Sequence, residues 1–283
     1  MADLTGMAVS ELPEATVVND TDLLLLSQGG ESKKTTKRTL LSELTSDLLS
    51  VIRVGSFNVG CFSNGRHDLA TAISHIAEMA DAWRMRIGQI DCDILCCQEV
   101  YEYVDANNTV PAMPIFSFKY PYINHTQTNG NYIFSKFEPS GYTNRSYANE
   151  SLRYYQWETV TICGKTIYIV NTHVNERPDP SEYRQAQIAE LITFLTGKTF
   201  IACGDFNAYS TSEFDAFTTA GFKIANHGDF GDFATWPKVY SSWPNSALDN
   251  IITSADISIK NVGIDFRALQ SDHAFFYADL KIV

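Results

Sequence analysis

The segment Gly204-Asp205-Phe206-Asn207 closes the apolar run 200–203 with an acid and an amide two positions apart. In an extended segment residues i and i+2 share a side. Asp205 and Asn207 are therefore expected to face one space together while Phe206 turns away into packing. Gly204 permits a turn or a close approach of another backbone. Alone, such an ending is equally a strand running into a polar turn, where Asp and Asn are favoured. Five other segments end alike: Asn58 in Ser56-Phe57-Asn58-Val59, Glu99 after Ile94-Leu95-Cys96-Cys97-Gln98, His173 after Ile169-Val170-Asn171-Thr172, Asp249 after Ala247-Leu248, and Ser271-Asp272-His273 before the last apolar run. Each has a plain structural reading. Glu99 is then a strand-end charge, His173 a hydrogen-bonded core histidine and Asp249 an Asx turn with Asn250. As an ordered set they are the residue types of proton transfer and cation binding, placed on rigid elements, which is the composition of a site.

Such residues need elements to hold them. From residue 52 the pattern alternates strands and helices. The spacing predicts a strand over 52–59, a helix over 67–86 with Leu69, Ile73, Ile76, Ala80 and Trp83 on one face, and an apolar strand over 91–100. Residues 157–163 and 165–172 read as a hairpin turning at Gly164. Asp179-Pro180-Ser181-Glu182 has the form of a helix start, and Ile188, Leu191, Ile192 and Leu195 give that helix its stripe. Strands are predicted over 199–203, 248–253 and 274–282. Trp236, Trp243 and the Tyr-rich stretch 120–122 could line a substrate surface, but core packing is the preferred expectation for them. His67, His75, His125 and His227 read as surface or structural residues.

Of 283 residues 45% are apolar and 12% aromatic, enough for a substantial core. No apolar run approaches the ~20 residues of a membrane span. The first residues lack a basic region followed by a long apolar one, so release into a cytoplasm is expected. The six cysteines are irregularly spaced, Cys92 and Cys96 have no second pair, and the set reads as reduced core thiols. The net charge of −12 divides into −4 over residues 1–50 and −8 over the rest, with no basic stripe. That speaks against tight phosphate-neutralising binding of nucleic acid. It leaves room for an enzyme whose bound metal supplies the positive charge.

The ordered motifs Asn58, Gln98-Glu99, Asn171-Thr172-His173, Gly204-Asp205-Phe206-Asn207, Leu248-Asp249 and Ser271-Asp272-His273 resemble those of the endonuclease/exonuclease/phosphatase superfamily, the DNase I-like fold, over residues 52–283. The resemblance implies an α/β fold, a four-layer α-β-β-α sandwich of two mostly antiparallel sheets. It also implies metal-dependent phosphate-ester hydrolysis, with Mg²⁺ (or Mn²⁺) held by Glu99, Asn58 and Asp272. Asp249 would orient His273 and favour its protonated form. Asp205 or His273 would activate water, Asn207 would donate to a phosphate oxygen, and His173 would contact the phosphate or protonate the leaving group. Arg153 stands where the family often has a phosphate-contacting Arg, and Asn131 is a further candidate for substrate binding. The apurinic-site endonuclease branch usually has Tyr where this chain has His173. A His there resembles the DNase I, sphingomyelinase and inositol-phosphatase branches.

Residues 1–50 differ in pattern. Leu23 to Leu26 read as a short strand, Gln28-Gly29-Gly30-Glu31 as a hairpin turn, Lys33, Lys34, Lys37 and Arg38 as a solvated face, and Leu40, Leu41, Leu44 and Leu48 as helical spacing. Fifty residues barely support a core, so this hairpin-helix module is expected to dock on the main domain, on copies of itself or on a partner. Leu12-Pro13-Glu14-Ala15-Thr16, Asp20 to Leu26, Gln28-Gly29-Gly30 and Lys33-Lys34-Thr35 resemble the N-terminal segment of bacteriophage tail fibre and tailspike proteins. That resemblance implies synthesis in a host cytoplasm, a place on the virion tail among other tail proteins, and a homotrimer. The two resemblances together imply an enzyme for a cell-surface phosphodiester polymer or lipid head group. A DNA endonuclease, a phosphomonoesterase and a non-catalytic receptor-binding module are the alternatives.

Overall fold

The computed structural model describes residues 23–28, 31–36, 50–62, 69–100, 113–125, 130–176, 182–236, 246–267 and 271–282. The chain divides into two units, Met1–Leu49 and Ser50–Val283. In the first, β1 (Leu23–Gln28) pairs antiparallel with β2 (Glu31–Thr36), Gln28 opposite Glu31, as the Gly29-Gly30 pattern predicts. The leucines expected on a helix, Leu40 to Leu48, lie outside the described residues.

The second unit begins with β3 (Val51–Asn58), α1 (Leu69–Ile90), β4 (Ile94–Gln98), α2 (Met113–Ser117), β5 (Tyr122–His125), β6 (Tyr132–Ser135), β7 (Pro139–Tyr147) and β8 (Glu150–Ile162). It continues through β9 (Lys165–His173), α3 (Glu182–Leu195), β10 (Phe200–Asp205), α4 (Asp215–Thr219), β11 (Lys223–Ile224), β12 (Asp249–Thr253), β13 (Ile257–Asp265) and β14 (Phe275–Ile282). Two six-stranded sheets form, ordered β13-β14-β3-β4-β6-β5 and β11-β12-β10-β9-β8-β7. Each has one parallel pair at its centre, β3/β4 in one and β9/β10 in the other, and is otherwise antiparallel. Parallel neighbours need a long crossover, and α1 and α3 lie on those crossovers.

Three apolar layers separate four structural ones. Trp83 and Ile87 of α1 pack on Phe57, Leu95 and Phe134 of the first sheet. Val54, Ile94 and Ile133 meet Val160, Ile169, Ile201 and Ile251 between the sheets. Ile188, Leu191 and Leu195 of α3 pack on Tyr155, Val170 and Phe200. This is the expected α-β-β-α sandwich. Strands β4 and β10 are buried on both faces, which is why they read as continuous apolar runs rather than alternating ones.

Two details differ from expectation. The buried face of α1 runs through Ala72, Ile76, Trp83, Ile87 and Ile90, while Ile73 is half-buried. Ile76 and Trp83 of the expected stripe are buried and Ala80 packs on the same core, but Ala72 takes the place expected of Ile73 and the buried face continues to Ile87 and Ile90. The hairpin turns at Cys163-Gly164, both with φ near the left-handed region (51° and 76°), so Cys163 is exposed rather than a core thiol.

Polar side chains tie the sheets together at the end where the parallel pairs finish. Asn171 Nδ2 donates to the carbonyls of Cys97 (2.8 Å) and Tyr132 (2.9 Å), and Gln98 Nε2 donates to Asn171 Oδ1 (2.7 Å). The close approach anticipated at Gly204 is the parallel neighbour: a Cβ there would lie 2.5 Å from the Thr172 carbonyl oxygen. Among the described residues no helix is long and apolar enough to cross a membrane.

Candidate active site

The carboxyl ends of β3, β4, β9 and β10 point to one cleft of about 230 Å³. In sheets with parallel strands that end is where ligands are bound. Strand β12 starts opposite the end of β10, with Asp249 facing Asp205 in the register, and β14 starts opposite the end of β3. Strand ends and strand starts therefore supply the site together. Its lining includes Glu99, His173, Asp205, Asn207, Asp272 and His273.

Asp205 and Asn207 face one space, as their spacing predicted, but not through an extended backbone. Asn207 has φ 47°, and its N–H donates to Asp205 Oδ1 at 2.9 Å. The polar turn and the site are one feature. Asn207 Nδ2 donates to the Val174 carbonyl at 3.0 Å, leaving one amide hydrogen for a ligand. Phe206 is buried against Phe214 and Phe217.

His273 lies between two acids. Its Nδ1 is 2.8 Å from Asp249 Oδ2 and its Nε2 is 3.7 Å from Asp205 Oδ2. Burial alone would pull this imidazole down, but Asp249 and Asp205 outweigh burial and raise it from 6.5 to about 10. Burial pushes Asp205 the other way, up to about 7; Asp249 adds to the rise, and His273, the Asn58 amide and the Asn207 N–H oppose it. His173 Nε2 lies 3.5 Å from the same Asp205 oxygen. Ser271 fixes the loop by donating from Oγ to the Asn58 carbonyl at 2.6 Å, while accepting the His273 N–H at 3.0 Å.

Asn58 is fully buried behind the cleft. Its Nδ2 donates to Glu99 Oε1 (3.1 Å) and to Asp205 Oδ2 (3.0 Å), so one amide links the two halves. Glu99 is held at φ 57°, a conformation costly for a residue with a side chain and found where structure over-determines it. Asp272 accepts from Trp236 Nε1 at 2.9 Å. The two candidates for substrate binding stand further out. Arg153 pairs with the rim residue Glu176 at 2.6 Å. Asn131 is buried on β6's leading edge and donates from Nδ2 to the Tyr154 carbonyl at 3.5 Å; neither side chain lines the cleft.

Several site residues escape the sequence patterns. Trp236, expected in the core, lines the cleft. Cys61, at φ 53°, donates from its thiol to Glu99 Oε2 at 3.1 Å, so it is not simply a core thiol. Burial pushes the thiols of Cys92, Cys96 and Cys97 well up, as for inert core cysteines. Tyr209 and Glu176 complete the rim. His75 donates from Nδ1 to the Phe62 carbonyl (2.9 Å) and His125 stacks on Tyr132, both structural; Tyr120 is core, and Trp243 and His67 lie outside the described residues.

The cleft fits a divalent cation. No Lys or Arg is among the described residues that line it, yet Glu99, Glu176, Asp205 and Asp272 do. Asp249 Oδ1 and Asp272 Oδ1 are buried with no hydrogen-bond partner. Among the described residues one group has three ligand atoms within 4.8 Å of one another, Asp205, Asp249 and His273. Hard carboxylate oxygens suit cations such as Mg²⁺.

Solved structures share the fold. TDP2 of D. rerio, complexed with a single-strand DNA product, matches with a TM-score of 0.64 at 15% identity, covering 82% of this chain and 99% of that one. A mannosyl-6-phosphatase of Bacteroides thetaiotaomicron matches at 0.62 and 15% (81% and 99% covered), and the human Nocturnin catalytic domain with bound sulfate at 0.61 and 21% (84% and 96%). A comparison with curated proteins found no match. The model of one family, however, matches residues 55–273, which spans every residue that lines the cleft. The chain belongs to the Endonuclease/Exonuclease/phosphatase family.

Proposed function

We propose that the chain is a divalent-metal-dependent phosphodiesterase, carried on a phage tail and acting on a cell-surface phosphodiester polymer or lipid head group. The observation that carries the enzymatic part is the buried Asp249–His273–Asp205 array opening beside Glu99 in a cleft without lining cations. His273 is bracketed by Asp249 at Nδ1 and Asp205 at Nε2, and the two carboxylates favour its protonated form. As the family resemblance implies, Glu99 and Asp272, carboxylates that line the cleft, would hold the cation, Mg²⁺ or Mn²⁺; Asn58 would join them by turning its amide, since its oxygen accepts the Gly60 N–H at 2.9 Å and its nitrogen faces Glu99. Bound there, the cation would neutralise charge on the phosphoryl oxygens.

The remaining work falls to the chain's own groups. Asp205, raised to about 7, is poised to take a proton from the attacking water. His273 keeps its proton, places positive charge against the phosphoryl group and is aimed by Asp249. Asn207 offers its free amide hydrogen to a phosphate oxygen. His173 stands on the same acid and is the donor for the leaving oxygen.

The tail location rests on the motifs of residues 12–35, which would join other tail proteins as a trimer. The competing reading is a DNA endonuclease. The TDP2 relative holds a single-strand DNA product, while the acidic lining and net charge of −12 speak against it here. A panel of DNA, a small phosphodiester, the matching monoester and host surface glycans, each with Mg²⁺ and with chelator, separates them. Metal-dependent glycan or diester cleavage with slow DNA cutting is expected. Fast DNA cutting with intact glycans would reverse the order, and host-cell adsorption without turnover would make the chain a binding module.

A further inference from the structure

A second cavity, of about 270 Å³, adjoins the catalytic cleft, and Tyr209 is the wall common to both. Its volume lies just under the ~300–1,000 Å³ of pockets for drug-sized ligands, so it admits a group of about one ring. Ala208 and Ala247, each one residue from a cleft residue, give it a small-residue floor, and Phe214 supplies an apolar side. Thr211 and Ser246 bring hydroxyls and Asp232 a carboxylate; among the described residues that line it there is no cation.

Tyr209 is built as a platform. It is 40% exposed, yet it is held from beneath. The buried Arg184 guanidinium lies 5.3 Å from the ring centroid. Arg184 Nε in turn donates to Glu213 Oε2 (2.9 Å), and the other oxygen of Glu213 accepts the Tyr209 N–H (2.9 Å). A buried ion pair is costly to assemble, and this one fixes both the backbone and the ring of one exposed aromatic. With Arg184 over one face of the ring, the exposed part of Tyr209 stands at the wall that the cavity shares with the cleft. An aromatic face beside hydroxyls and an acceptor carboxylate suits the C–H face and hydroxyls of a sugar or polyol. A second phosphate would meet Asp232 and no positive charge.

We propose that this cavity is a subsite for an uncharged, polyhydroxylated group, a sugar or polyol esterified to the phosphate bound in the neighbouring cleft. The subsite presupposes the phosphodiesterase activity proposed above and narrows its substrate class.

Three diesters with one leaving group test it: the methyl, glucose-6-yl and thymidine-5′-yl esters of 4-nitrophenyl phosphate, with Mn²⁺. The glucosyl ester should exceed the methyl ester in kcat/KM by about 10-fold or more. Ala247→Trp, which fills the cavity, should bring that ratio to about one, as should Tyr209→Ala. A second arm reads binding alone. In saturation-transfer NMR the sugar protons of glucose 6-phosphate should be saturated by the parent protein and not by Ala247→Trp, with Asp232→Ala as a surface variant should Ala247→Trp fail to fold. A glucosyl-to-methyl ratio of one in the parent, a ratio unchanged by the variants, or a thymidyl ester preferred to the glucosyl one would overturn the subsite. If none of the three esters is cleaved, the phosphodiesterase activity fails, and the NMR arm still decides the subsite by the same contrast.

Discussion

Strands β3 and β4 run parallel across α1, and β9 and β10 run parallel across α3, so each half of the sandwich brings two carboxyl strand ends to the cleft. The ends differ in chemistry. The first pair gives Asn58 and Glu99, and Glu99 is half-exposed with a neutral amide and a thiol as its donors. The second gives His173, Asp205 and Asn207, with Asp249 opposite, all buried. One architecture thus carries an open carboxylate suited to a cation on one side and a closed acid–imidazole array suited to proton transfer on the other. The imidazole of that array, His273, comes from the first sheet, at the start of β14, so neither half is complete alone.

If the closed side carries the proton chemistry, Asp205→Asn or His273→Ala should lower kcat by about 10²–10⁴-fold with metal affinity retained. Stopped-flow turnover at saturating substrate reads the loss, and a drop under tenfold in both would remove the division of labour.

A second buried acid sharpens what the array adds. Glu158 lies between the sheets, accepts from Asn124 Nδ2, and is raised by burial from 4.5 to about 7, like Asp205 but with no imidazole partner. The folded chain keeps a proton on Glu158 up to about pH 7, whereas the unfolded chain loses it near 4.5. The penalty is therefore absent below 4.5, grows between the two values, and is complete above 7. Glu158→Gln should stabilise the protein by about 2–3 kcal/mol above pH 7 and have no such effect below 4.5. Thermal unfolding at both pH values checks the sign.

The array also sets a pH profile. With Asp205 ionised and His273 protonated, kcat/KM should form a bell between about 7 and about 10. Asp249 raises both groups, so Asp249→Asn should move both limbs to lower pH. Limbs that stay in place would detach Asp249 from the array. On the open side the smallest effect is expected at Cys61. Cys61→Ala should weaken Mn²⁺ binding by about tenfold, and Cys61→Ser should restore most of it, as measured by calorimetry.

Legibility in the sequence followed burial. Strands covered on both faces, such as β4 and β10, announce themselves as apolar runs. Strand β7, largely exposed with the polar sequence Pro139–Tyr147, carries no such signal, and β6 is only four residues long. The motif residues were visible because polar groups ending apolar runs need a reason. Trp236 and Cys61 were not, because an indole and a thiol look like core until a distant partner, Asp272 or Glu99, turns them toward the cleft. Tyr209 depends on Arg184 and Glu213, a tertiary arrangement that no local pattern encodes.

Mn²⁺ binding, followed by calorimetry or electron paramagnetic resonance, tests the separation of cation side from proton side most directly. Glu99→Gln should abolish one high-affinity Mn²⁺ site, while His273→Ala should leave it in place. Binding that survives Glu99→Gln and is lost in His273→Ala would put the cation among Asp205, Asp249 and His273, and would contradict the account.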